Sequence, residues 1–65
     1  MFVRLTHHGG GVYINPEHVQ CIVETEHGVA VWCDRAWTVD EPILEVVQRL
    51  ERALQLYSKR QGDTQ

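Results

Sequence analysis

Apolar and polar residues alternate along the first forty residues in short runs separated by turn residues. The run FVRLT, residues 2–6, places Val3 and Leu5 on one face of a strand, because successive side chains of a strand point to opposite faces. Similar runs follow at VYIN (12–15), VQCIVET (19–25), VAVWC (29–33) and AWTV (36–39). The pattern predicts four or five short strands joined by tight turns.

Glycine and proline mark the first two turns. HHGGG, residues 7–11, is predicted as a turn because glycine adopts positive φ without a steric penalty. Pro16 has no N–H to donate to a strand ladder and should end the second strand. The segment NPEH, residues 15–18, is therefore predicted as a rigid turn that fixes the register between strands two and three, with Glu17 and His18 exposed at its tip.

The next turn decides how the two cysteines are placed. Glu26-His27-Gly28 is predicted as a three-residue hairpin loop with Gly28 in the left-handed position. In that register Cys21 lies directly opposite Cys33, at a separation that permits a disulfide on oxidation. The alternative is that both cysteines pack as small apolar residues and stay reduced.

From residue 43 onward, apolar residues recur at spacings of three and four, which is typical of a helix with one apolar stripe. The stripe comprises Ile43, Val46, Val47, Leu50, Ala53, Leu54 and Tyr57. RQGDTQ, residues 60–65, has no apolar residue and is predicted as a flexible C-terminal tail.

These elements predict one α+β domain over residues 1–59. The predicted architecture is a small antiparallel β-meander of four to five strands with one C-terminal helix packed on one face. The helix stripe is expected to cover the side chains of Val3, Leu5, Val23 and Val31. Alternation then turns Trp32, Ala30 and Phe2 to the opposite face, which no element covers. Leu56 lies outside the helix stripe and is a further apolar residue without an internal partner.

Composition narrows the class of protein. The chain has 65 residues, of which 43% are hydrophobic and 23% charged, so we expect a folded domain rather than a disordered one. It has neither a long apolar run nor a signal-peptide pattern, and we expect a cytoplasmic protein without membrane insertion. The net charge is −3, which argues against a nucleic-acid partner.

Candidate chemistry is sparse. His7 and His8 are adjacent and point to opposite faces of a strand, and His18-x-x-Cys21 lacks the second pair that completes a tetrahedral metal site. No serine or cysteine has a recognisable base beside it, and GGG at residues 9–11 lacks the lysine of a phosphate loop. We therefore predict no enzyme activity, no cofactor and no metal.

In their order along the chain, FVRLT (2–6), VYINPEHV (12–19) and VDEPILEVVQRL (39–50) resemble the FlbD/SwrD family of small flagellar and swarming-motility proteins. Pro42 stands where that family usually has serine, and VAVWC replaces a strand that is often threonine-rich. The resemblance implies a non-enzymatic cytoplasmic protein that supports motility through protein contacts, or a phage-encoded relative that acts on a host protein. It supplies no catalytic residues.

The leading hypothesis is accordingly a protein-interaction module whose partner is unidentified. We expect it to form a homo-oligomer, most simply a dimer, since a small domain gains stability from association. The candidate contact residues are Phe2, Glu17, His18, Trp32 and Leu56. Two alternatives remain: a small RNA-binding translational regulator of β-rich type, and a minimal metal or redox protein that uses His18, Cys21 and Cys33.

Overall fold

The computed structural model describes the backbone of residues 1–63 and the side chains of residues 1–56. Its elements, in chain order, are β1 (Val3–His7), β2 (Gly10–Ile14), a 3-10 turn (Pro16–His18), β3 (Cys21–Thr25), β4 (Gly28–Trp32), β5 (Ala36–Val39) and α1 (Ile43–Asp63). All strand pairs are antiparallel. The predicted α+β class, a five-strand meander followed by one helix, is confirmed.

The strands form two sheets rather than one. β1 pairs with β2, and β3, β4 and β5 form a second sheet in that order, so β2 and β3 are not neighbours. The prediction that the NPEH turn fixes the register between strands two and three is therefore wrong. The 3-10 turn instead carries the chain from one sheet to the other, and the sheets meet where Asp40 donates its N–H to the carbonyl of Thr6 at 2.8 Å.

The first hairpin is tighter than HHGGG suggested. His7 pairs with Gly10, so only His8 and Gly9 lie between the strands. Both have positive φ, 50° and 81°, which is the backbone geometry whose twist matches that of the flanking strands. The strands consequently extend into the predicted turn from both sides.

The second hairpin differs from its predicted register by one residue. Thr25 pairs with Gly28 across a two-residue turn, so Cys21 lies opposite Trp32 and not opposite Cys33. The Thr25 hydroxyl explains the shorter turn, because it accepts from the N–H of His27 at 3.2 Å and donates to the carbonyl of Gly28 at 2.8 Å. Gly28 keeps a positive φ of 130°, and a Cβ there would lie 3.1 Å from the carbonyl oxygen of Val39.

One apolar cluster holds the two sheets and the helix together. It comprises Val3, Leu5, Ile14, Val29, Val31, Val39, Val46, Leu50 and Ala53. The predicted inward residues Val3, Leu5 and Val31 belong to it, but Val23 does not. Because the register shifts by one, Ile22 pairs with Val31 and packs against this core, while Val23 turns outward. A one-residue shift exchanges the two faces of a strand.

The helix runs further than its apolar stripe predicted. α1 continues to Asp63, four residues into the segment predicted as a tail, and residues 64–65 lie outside the described part. Val46, Leu50 and Ala53 of the stripe are buried, whereas Leu54 is exposed. The side chain of Tyr57, the last predicted stripe residue, also lies outside the described residues.

A polar clamp fixes the start of α1 to β1. The N–H of Thr6 donates to both carboxylate oxygens of Glu41, at 2.9 and 3.1 Å, and the hydroxyl of Thr6 donates to one of them at 2.9 Å. Arg49 lies 3.5 Å from the same carboxylate and donates to the carbonyl of Arg4 at 2.8 Å. Burial favours the neutral carboxyl of Glu41 and by itself would raise its pKa. The hydrogen bonds from Thr6 and from the backbone N–H of Glu41, together with the charge of Arg49, outweigh burial and lower the pKa of Glu41.

Candidate functional site

Phe2 and Leu56, two of the predicted contact residues, lie together in one groove. It opens between the N-terminal residues and α1, has a volume of about 310 Å³, and is lined also by Met1, Val3 and Ala53. Phe2 is 67% exposed and Leu56 52% exposed, although both are large apolar side chains. We call this site, with its bordering residues Arg4, Arg49 and Arg52, the Phe2–Leu56 groove.

Trp32 lies elsewhere, on the outer face of the β3-β4-β5 sheet. The strand register places Cys21 and Ala36 beside Trp32. Ala30 and Val23, which pair with each other, come next along the same face. Trp32 and Val23 are both 42% exposed. Sequence reasoning put Phe2 and Trp32 on one shared face, but Phe2 lines the groove against the helix and Trp32 does not. Phe2 and Trp32 therefore belong to two separate surfaces.

Glu17 and His18 are exposed on the 3-10 turn, as their position after Pro16 suggested. Asn15 caps the turn, since its side-chain oxygen accepts the N–H of Glu17 at 3.0 Å. Pro16 is buried, and the turn packs against α1. The apolar part of the turn is thus used by the fold, and only its two polar side chains remain free for contacts.

An aromatic cluster at the edge where the two sheets meet was missed by sequence reasoning. His7 lies 5.2 Å from Trp37 in an edge-on arrangement, and the Arg35 guanidinium lies 5.3 Å from the centre of the Trp37 ring. The Nδ1 atom of His7 is 2.6 Å from the carbonyl oxygen of Thr38, which it reaches as a donor. The alternation within AWTV indicates that Trp37 faces inward with Val39. The contact between Trp37 and His7 joins two different sheets, so no local sequence pattern predicts it.

The cysteines do not form the predicted opposed pair. Cys21 is exposed and Cys33 is half-buried, and both are free thiols. Burial, followed by the nearby charge of Asp34, raises the pKa of Cys33, so its reactive thiolate is disfavoured. Within the described side chains, no three His, Cys, Asp or Glu groups come close enough to hold a metal ion, so His18, Cys21 and Cys33 are not assembled into a site.

A second, wider depression of about 530 Å³ runs along the solvent side of α1. It is lined only by helix residues, namely Glu45, Gln48, Arg49, Glu51, Arg52 and Gln55. With no opposing wall and with charges of both signs, it is the ordinary solvated face of an amphipathic helix. The smaller Phe2–Leu56 groove is the better candidate because apolar side chains line it.

Within the described part of the chain, no helix combines the length and apolar character needed to cross a membrane. Comparison of the chain with protein-family models, with curated proteins and with solved structures found no significant match. The function must therefore be argued from the surfaces described above.

Proposed function

We propose that this chain is a non-enzymatic, cytoplasmic protein-interaction module that binds its partner at the Phe2–Leu56 groove. The observation that supports this proposal is the exposure of Phe2 and Leu56 side by side in a domain with a small core. Contiguous apolar surface on a monomer is typical of a site that contacts another protein. The resemblance to the FlbD/SwrD family favours a partner in the flagellar motor, and a host protein is the corresponding partner for a phage-encoded chain.

The experiment is photo-cross-linking in the cells that produce the protein. A photoreactive aromatic residue in place of Phe2 should trap the partner, and the same residue in place of exposed Leu44, which does not line the groove, should not. Mass spectrometry of the adduct then identifies the partner. A flagellar motor component supports the motility role, whereas a trapped protein of another kind rejects that role and keeps the interaction module.

The outer sheet face supports a second, separate contact, which we propose is self-association into a dimer. Trp32 and Val23 are exposed there, and β3 is paired on one side only. An unpaired strand edge next to an apolar face is a common dimer contact. In this arrangement two copies related by a two-fold axis would bury Trp32 at their interface.

Trp32→Glu should convert this dimer to a monomer, because the substitution places a charge in the apolar contact. Sedimentation of the wild type and the variant at micromolar concentration measures the effect. Leu44→Glu is the matched control, since it also replaces an exposed apolar residue and should leave the dimer intact. A wild type that sediments as a monomer would refute the proposed dimer.

A further inference from the structure

The Phe2–Leu56 groove is lined by both apolar and basic side chains. Met1, Phe2 and Leu56 supply the exposed apolar surface, and Arg4, Arg49 and Arg52 line the same groove. The chain has only six Lys and Arg residues and a net charge of −3. Three of the four Lys and Arg side chains that the structure describes therefore line one small groove on a protein of negative net charge.

The three arginines are not equivalent. Arg49 is already neutralised, because its guanidinium lies 3.5 Å from the Glu41 carboxylate and 3.4 Å from that of Glu45. Arg4 and Arg52 make no ion pair with any side chain in residues 1–56, and both are exposed. The side chain of Arg4 lies across Gly11, where a Cβ would come within 2.7 Å of its Nε atom. Among the described side chains, two uncompensated positive charges thus line the groove together with Met1, Phe2 and Leu56.

We propose that the groove binds an acidic amphipathic segment of another protein. Large apolar side chains of that segment would pack beside Phe2 and Leu56, and its carboxylates would pair with Arg4 and Arg52. The arginine side chain suits this task, since its planar guanidinium binds a carboxylate through two parallel hydrogen bonds. An apolar groove that receives spaced side chains of a helix is a common mode of peptide recognition. This inference rests on the proposed function and names the chemistry of the partner.

The charges favour a protein segment over an anionic membrane. Electrostatic binding to anionic lipid usually relies on clusters of about 4–8 basic residues, and the described side chains of the groove include two uncompensated ones. The groove, of about 310 Å³, is lined by side chains of both the N-terminal residues and α1, so a short segment would contact both elements at once. Both features match a short segment whose side chains enter the groove individually.

The proposal is tested by selection from a random peptide library displayed on phage, with the purified full chain as bait. We expect the recovered peptides to combine Asp or Glu with Leu, Ile or Phe. Their affinity for the Arg52→Glu variant should fall about tenfold, because one charge-assisted pair is lost and a like charge faces the peptide. Arg35→Glu is the matched charge reversal, since Arg35 lies on Trp37 outside the groove, and it should change the affinity less than about twofold.

Circular dichroism must show that both variants keep the fold. Failure to recover acidic apolar peptides would overturn the proposal, as would equal losses of affinity in Arg52→Glu and Arg35→Glu. Binding to phosphatidylglycerol vesicles that Arg52→Glu abolishes, without such peptides, would assign the groove to a membrane surface and also overturn it. A cross-link from position 2 whose yield is unchanged in Arg52→Glu would reject the acidic partner while retaining the interaction module.

Discussion

Leu50→Ala should destabilise the protein by about 2–5 kcal/mol, because it removes buried methyl groups and leaves a cavity between α1 and the sheets. Leu50 is buried in the central cluster together with Val46 and Ala53 of the same helix. A domain of this size has a total stability of about 3–10 kcal/mol, so the loss approaches half of it. Thermal or denaturant unfolding measures the change directly.

Leu44→Ala is the matched control for this experiment. The two positions lie on the same helix and undergo the same substitution, but Leu44 is 71% exposed. Its replacement should change the free energy of unfolding by less than about 0.5 kcal/mol. Equal effects at the two positions would show that α1 does not dock on the sheets through the face that carries Leu50.

Glu41→Gln should cost about 1–3 kcal/mol at pH 7, since it removes a charged acceptor from the N–H and hydroxyl of Thr6 and leaves Arg49 less compensated. Glu45→Gln is the matched control, because Glu45 also lies near Arg49, at 3.4 Å, but is 46% exposed. An exposed pair of this kind contributes less than about 1 kcal/mol. Denaturant unfolding of both variants at pH 7 tests whether the clamp depends on the partly buried carboxylate of Glu41.

The same clamp predicts a dependence of stability on pH. The pKa of Glu41 is lowered in the folded protein from its ordinary value of 4.5, so the folded state favours the charged carboxylate. Its stabilisation is complete above pH 4.5 and is lost as the pH falls below that value through the folded pKa. The difference in unfolding free energy between wild type and Glu41→Gln should therefore shrink between pH 5 and strong acid. A difference independent of pH would exclude the ionised carboxylate as its source.

The class of fold was predictable because each element carries a local signal. Alternation marked the strands, and the three-and-four spacing from Ile43 onward marked α1. The register of β3 and β4 was not predictable in the same way, because it depends on two hydrogen bonds of Thr25 that close a shorter turn. That one-residue difference turned Val23 outward and separated Cys21 from Cys33. The two-sheet arrangement likewise depends on contacts distant in sequence, such as Thr6 with Glu41.

The candidate site was predictable only in its parts. Phe2 and Leu56 could be named from their positions outside the expected core, but nothing local shows that residues so far apart in the chain share a groove. The grouping of Arg4, Arg49 and Arg52 was not predictable for the same reason, since these side chains meet only when α1 docks beside β1. The net charge of −3 gave no indication of these arginines, because net charge carries no information about where charges lie.

The central claim is that the apolar side chains of the Phe2–Leu56 groove are exposed because another protein binds them. The most direct measurement is photo-cross-linking in cells with p-benzoyl-phenylalanine at position 2 and, in a separate variant, at position 44. Both positions are exposed, so accidental encounters should label them equally. We predict a discrete protein adduct from position 2 that is absent from position 44 and is lost when Leu56→Ser is added. No adduct at position 2, or the same adducts from both positions, would contradict the account.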